Sequence, residues 1–352
     1  MGWGRRLANG ASSIGQRESA RRRGLAGGSG GMPKNGGRGP VVPCGEIACF
    51  MNHLVAPTDV LPVPVPVPTL LAPATPAPRC HLLLGDARTL IGTLPADSFH
   101  TCVTSPPYWG LRDYEIAEQI GAEPELSTYL EHLVQVFREV RRVLRPDGTL
   151  WLNIGDSYTS GGRTWRDGDK KNPARAMSYR APTPAGLKPK DLIGVPWRLA
   201  FALQADGWYL RSDIIWHKPN CQPESVKDRP TQAHEYLFLL TKSENYYYDH
   251  AAIQEQTNDG KGKRNRRSVW SIKTEPYKEA HFAVFPPALV APCIQAGSPA
   301  GGHVLDPFFG SGTVGETSLR LHRNCTGIEL NPAYAEIAEK RLHKMRLPAL
   351  GL

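Results

Sequence analysis

Two stretches of this 352-residue chain carry residue types that could do chemistry together. The first is Thr104-Ser105-Pro106-Pro107-Tyr108-Trp109, directly after the short run His100–Val103. Consecutive prolines cannot extend a central strand, because neither donates a ladder bond. The chain must stop there in a rigid, extended tip. A hydroxyl (Ser105), a backbone carbonyl (Pro106) and an aromatic face (Tyr108) crowd onto it. A rigid acceptor pair beside a stacking ring suits one task, holding a planar base by its exocyclic amine. The same six residues also fit a plain Pro-rich turn, so the second stretch has to decide.

That stretch is Asp306-Pro307-Phe308-Phe309-Gly310-Ser311-Gly312-Thr313, between a strand pattern and a helix pattern. Gly310 and Gly312 let the backbone approach a ligand, and the following helix presents free N–H groups. Glu329 stands 17 residues after Gly312, at the end of the next strand pattern. An acid there can grip both ribose hydroxyls of an adenosine group. A dinucleotide would also fit a glycine-rich turn plus an acid. The turn lacks a third glycine at the right step, however, and no second nucleotide half is evident.

The two stretches together resemble the amino-methyltransferases of DNA, which use S-adenosylmethionine. Thr104–Trp109 is similar to their catalytic motif, in the Ser-Pro-Pro-Tyr form typical of cytosine-N4 enzymes; adenine-N6 enzymes usually carry Asp or Asn at the place of Ser105. Asp306, Phe308, Gly310, Gly312 and Thr313 lie in what resembles the cofactor loop, and Glu329 resembles the ribose-binding acid. Asp86 matches the acid that contacts the cofactor adenine, and His281–Pro286, with Phe285, resembles the motif packing on its methionine end. The resemblance covers about residues 80–345 and has the permuted order, catalytic motif first, of the beta group.

The resemblance implies a flipped cytosine stacked on Tyr108, its amine bonded to Ser105 and the Pro106 carbonyl, with Pro107 stiffening the tip. Asp156 is the candidate proton acceptor. Neither Pro-Cys pair of the chain, Pro43-Cys44 or Pro292-Cys293, stands in these motifs, which argues against methylation of a ring carbon. The expected activity is site-specific cytosine-N4 methylation of double-stranded DNA, with a cognate restriction endonuclease as a partner. The alternatives are an adenine-N6 enzyme of the same fold and a non-catalytic DNA-binding protein. Lys218, Arg264, Arg266 and Arg267 are the expected DNA contacts.

These groups need a scaffold. The pattern predicts strands at 81–84, 100–104, 149–154, 208–216, 235–241, 304–305 and 324–329. It predicts helices from Ala87, from a Ser127 N-cap to Leu144, and over 190–206, 286–293, 313–321 and 332–347, with a turn at Pro146–Gly148. Alternation of this kind implies an α/β, Rossmann-like methyltransferase fold: a mostly parallel, doubly wound sheet over residues 79–347, with DNA-contacting insertions near 158–189 and 254–268. The motifs stand some 200 residues apart, yet one methyl group must pass between them. The strands entering Thr104 and Asp306 must therefore lie side by side and parallel at the point where the winding reverses. Trp109, Trp197 and Trp270 are expected in the core.

Residues 1–78 read as a disordered basic tail, Gly/Arg-rich and then Pro-rich, with an alternating Val/Pro run at 62–68. Residues 1–43 hold eight Arg and Lys against Glu18 alone, so +7 of the total +9 belongs to the tail rather than to the folded part. Seven scattered cysteines without metal spacing fit reduced thiols in the cytoplasm; no metal is expected. No apolar run is long enough for a bilayer, and the arginines near the start precede no apolar core, so neither a membrane span nor a secretory signal is expected.

Overall fold

The structure, a computed structural model, describes residues 77–111, 116, 119–159, 181–275 and 285–346. Residues 1–76 of the expected tail, 160–180 of the expected insertion and His281–Val284 lie outside the described residues. In chain order the elements are β1 (Cys80–Leu84), α1 (Ala87–Leu90), β2 (Phe99–Thr104), α2 (Leu126–Val143), β3 (Leu144–Ile154), α3 (Val195–Ala205), β4 (Tyr209–His217), β5 (His234–Thr241), β6 (Glu255–Gln256), β7 (Lys263–Arg264), β8 (Val269–Ser271), α4 (Pro287–Gly297), β9 (His303–Asp306), α5 (Thr313–Arg320), β10 (Asn324–Glu329) and α6 (Pro332–Arg346).

Eight of the strands form one sheet in the order β1-β10-β9-β2-β3-β5-β4-β8. Strand β5 runs antiparallel to β3 and β4, and the other pairs are parallel. Thr101 faces Val304 and Cys102 faces Leu305 across the β2·β9 pair, so the two motif-bearing strands are parallel neighbours, as the chemistry requires. From β2 the chain winds outward through α2 to β3. From β9 it winds the opposite way through α5 to β10. The reversal falls between β2 and β9, and a crevice opens at their carboxyl ends.

Strand residues alternate between two cores. Cys102, Leu150, Leu152, Phe238, Leu240 and Leu305 pack on one face, under α1, α2 and α3. Val103, Trp151, Leu237, Leu239 and Val304 pack on the other, with α4, Val314 of α5 and α6. Strands buried on both faces read as continuous apolar runs, which is why they are legible in sequence. Helix α2 buries Leu126, Tyr129, Leu133, Val136, Phe137, Val140 and Val143, one stripe at helical spacing. Among the described residues no helix is long and apolar enough to cross a membrane.

Four local expectations need correction. Glu125, not Ser127, occupies the N-cap of α2, because the buried stripe already begins at Leu126. Pro146–Gly148 lies inside β3 as a bulge: pairing jumps from Phe99↔Leu144 to Thr101↔Thr149. Helix α3 begins at Val195 rather than 190, because Gly194 takes a left-handed conformation (φ 77°) just before it. The run 254–268 contains the β6–β7 hairpin and is followed by β8, which joins the main sheet; strands of two or three residues are too short to show a period. Trp109 and Trp270 are buried, whereas Trp197 is half-buried against Phe201, Tyr236 and Phe238.

Candidate active site

The Pro-Pro tip is held by hydrogen bonds to its backbone and from its own side chains. The Tyr129 hydroxyl, from the buried stripe of α2, donates to the Pro107 carbonyl at 2.9 Å. Trp109 Nε1 donates to the Glu123 carbonyl at 2.9 Å, and Gly110 N donates to the Gly121 carbonyl. Thr104, the last residue of β2, donates through Oγ1 to Asp306 Oδ1 at 2.7 Å and so ties the ends of the two crevice strands. Tyr108 donates its hydroxyl to Glu235 Oε2 at 2.8 Å.

The glycine loop is held differently, by a ring in a slot. Phe309 is buried, and a Cβ on Gly327 would stand 2.2 Å from its ring; one on Gly315 would stand 2.5 Å away. Neither approach is possible for a real Cβ, so the two glycines make the space the ring fills. Gly310 has φ +52°, and a Cβ there would meet nothing within 4 Å, so its backbone faces open space. Its N–H donates to Glu329 Oε2 at 2.6 Å, and Asn331 N donates to Oε1 at 2.8 Å. Burial pushes the Glu329 carboxyl above its ordinary range, opposed by those backbone bonds. Each carboxylate oxygen keeps a lone pair for a hydroxyl donor.

Both regions open into one cavity. Ser105, Pro106, Pro107 and Tyr108 line it, together with Asp86, Phe285, Phe308, Gly310 and Glu329. This arrangement fits an adenosine-bearing cofactor: a bare backbone loop, a carboxylate held by backbone N–H groups and apolar rings share one space with the tip. Asp86 caps α1 and pairs with Arg88 while facing the cavity.

Asp306, Gly312 and Thr313 lie beneath the loop rather than on the cavity surface. Asp306 is fully buried, its Oδ1 accepts from Thr104 Oγ1 and Phe308 N, and its Oδ2 has no hydrogen-bond partner among the described residues. Burial pushes its pKa up to about 7. Gly312 starts α5 at φ 82°, and the Thr313 hydroxyl accepts from Arg341 Nη1. Asp156 does not line the cavity. Its carboxylate accepts from Ser157 N, Gly194 N and Val195 N and so caps α3; burial raises its pKa against those bonds. The expected proton acceptor is a helix cap.

The expected DNA contacts also separate. Lys218 lies in the cavity wall, ion-paired to Glu235 and 4.2 Å from the Trp216 ring centroid. Arg264 and Arg267 both bond Glu255, and Arg266 lies over the Trp270 ring at 4.3 Å. None of these three arginines lines the cavity. Sequence reasoning missed Asn153, Trp216 and Glu235, which do line it. A signal existed: Asn153 interrupts the apolar run of β3, and Glu235 is an acid heading a buried strand.

Comparison with known proteins agrees with this geometry. The DNA methylase family of N6/N4 type matches residues 99–340. The chain is 64% identical over 268 residues to the Type II methyltransferase M.SmaI of Serratia marcescens, covering 76% of this chain and 92% of that one. It is 62% identical over 261 residues to M.Cfr9I of Citrobacter freundii, covering 74% and 87%. Its fold matches the PvuII cytosine-N4-specific DNA methyltransferase with a TM-score of 0.58 at 19% identity, over 78% of this chain and 89% of that one. A DNA modification methylase of Thermus thermophilus, solved with S-adenosyl-L-methionine, matches at TM-score 0.52 and 27% identity, over 76% and 94%.

Proposed function

The chain belongs to the DNA methylase family of N6/N4 type, and from that premise we propose that it methylates the N4 amine of cytosine in double-stranded DNA. One observation carries the reading: a Ser-Pro-Pro-Tyr tip and a glycine loop with its acid face a single cavity at the switch point of the sheet. S-adenosyl-L-methionine, the ligand of the Thermus thermophilus relative, would supply an activated methyl group there.

In this reading Glu329 holds the ribose hydroxyls, and the bare backbone at Gly310 lets the cofactor lie close. Asp86 faces the adenine, and Phe285 and Phe308 cover the apolar parts. The base must leave the duplex, at a cost of a few kcal/mol. Stacking on Tyr108 returns about 1–3 kcal/mol of that. The Ser105 hydroxyl and Pro106 carbonyl would accept hydrogen bonds from the two amine N–H groups, which draws the nitrogen out of conjugation and aims its lone pair; as the N–CH3 bond forms at the expense of the sulfonium S–CH3 bond, one of those N–H protons is lost to solvent. The tip is fixed by Tyr129 and Trp109, so positioning at about 3–3.5 Å does the remaining work. The Type II names of its relatives support a partner restriction endonuclease and a cytoplasmic setting beside the genome.

Sequencing the genome of a host that expresses the chain, with detection of modified bases, tests this. N4-methylcytosine at one recurrent motif is the expected result. N6-methyladenine there would move the assignment to the adenine branch of the family, and an unmodified genome would leave a DNA-binding protein without transfer activity.

A further inference from the structure

Glu235, the second residue of β5, lies at the cavity wall with 17% of its side chain exposed. Three groups from three other segments converge on its carboxylate. Tyr108 of the tip donates to Oε2 at 2.8 Å, and Asn153 of β3 donates to the same oxygen at 3.2 Å. Lys218, just after β4, donates to Oε1. Asn153 is itself fixed by a second bond, Nδ2 to the Tyr236 carbonyl at 3.1 Å. Lys218 is fixed by the Trp216 ring beneath its ammonium. Gly155 completes the arrangement: a Cβ there would stand 2.8 Å from Tyr108 Cε2 and 3.2 Å from Glu235 Cγ. The tyrosine ring and the carboxylate stem therefore pack against bare backbone.

A half-buried carboxylate–ammonium pair is weak support for a fold, because apolar residues of similar volume often do as well. This pair lines the same cavity as Ser105, on the surface the proposed reaction uses. We propose that Glu235 is the positioning residue of the base pocket: it sets the tilt of the Tyr108 ring and holds Lys218 as a fixed donor toward the flipped base. The inference rests on the methyltransferase reading above. Lys218 keeps further N–H donors after bonding Glu235. Cytosine presents a ring nitrogen and a carbonyl beside its amine, and a donor held there bonds both. Adenine presents only the ring nitrogen, so the pair also favours cytosine.

A double-variant cycle tests the coupling in the full chain, using S-adenosylmethionine and duplex DNA that carries the mapped target. Glu235→Ala and Tyr108→Phe are each expected to slow single-turnover transfer roughly ten- to a hundredfold, the scale of one bond to a charged group. The double variant should be no slower than Glu235→Ala alone, since both remove the same contact. Glu235→Gln keeps the volume and an acceptor for the tyrosine hydroxyl but loses the ammonium. It should recover part of the rate, match Lys218→Met, and not add to it. Cofactor affinity by calorimetry should stay unchanged in all variants. Multiplying losses in the double variant, full activity in Glu235→Ala and Glu235→Gln, or lost cofactor binding with lost activity would each overturn the proposal. Transfer by the wild-type chain to adenine would sink the cytosine reading while the cycle still decides Glu235. No transfer to DNA at all would sink both.

Discussion

The Pro-Pro tip and the glycine loop meet in one cavity but are built on opposite principles. The tip has its shape because polar side chains reach it: Tyr129 holds Pro107, Trp109 holds the Glu123 carbonyl and Glu235 holds Tyr108. The loop has its shape because carbon is missing around it, with Gly315 and Gly327 leaving a slot for Phe309. One region should fail when a hydroxyl is removed, the other when a methyl is added. In the proposed reaction, a tip that presents acceptors to an amine needs directional bonds, whereas a loop that lies against the cofactor needs closeness, and packing supplies it.

The largest effect should follow from closing the slot. Gly327→Ala puts a carbon where Phe309 now packs, and overpacking of this kind costs about 2–3 kcal/mol. The ring must leave, so cofactor affinity should fall with stability in denaturant melts and calorimetry. A variant of wild-type stability that binds cofactor normally would break the contrast.

Asp306 sits under the junction of the two regions, and its pKa near 7 lies above the ordinary value of about 3.9 for an unfolded Asp. The folded chain therefore keeps a proton that the unfolded chain has released. Its contribution to stability then falls as pH rises from about 4 to about 7. Asp306→Asn should flatten that slope in urea melts at pH 5 and pH 8. Equal slopes in the two proteins would mean the carboxyl is not held neutral.

Removing a tip bond should cost less. Tyr129→Phe leaves the Pro107 carbonyl without its partner, at about 1 kcal/mol. Transfer should slow while cofactor affinity stays at the wild-type value, which separates tip from loop within one variant. A matching loss of cofactor affinity would show that the two regions are not independent.

The smallest effect belongs to the basic hairpin, outside both regions. Arg267 is exposed and paired to Glu255, and such pairs contribute about 0–1 kcal/mol. Arg267→Ala should leave stability within about 0.5 kcal/mol of wild type. A larger drop would mean that the hairpin braces the sheet through more than a solvated ion pair.

The parts that sequence reveals share one cause. Strand β10 is legible at its observed bounds, and β2 and β9 as parallel neighbours, because buried apolar runs and a single transferable methyl constrain them strongly. The glycine loop is legible because Gly310 and Glu329 act through local backbone and the end of the next strand. What escapes depends on partners distant in sequence. Asp156 reads as a loose carboxylate until Gly194 and Val195 arrive to be capped. Glu235 gains meaning only when the tip, β3 and β4 meet at the head of β5. The pairing of Lys218 with that same acid shows only when β4 and β5 meet. Ser127 offers a local cap, but burial of Leu126 sets the helix start instead.

The central claim is that tip and loop act on one methyl group destined for a cytosine amine. The most direct measurement is mass spectrometry of nucleosides from duplex DNA incubated with the chain and methyl-labelled S-adenosylmethionine, wild type beside Ser105→Ala. The account predicts labelled N4-methylcytosine from the wild type. It predicts transfer slower by at least about 100-fold from Ser105→Ala, the scale of a positioned catalytic group, with cofactor affinity unchanged. Label on adenine, no label on DNA, or a Ser105→Ala variant as fast as wild type would contradict it.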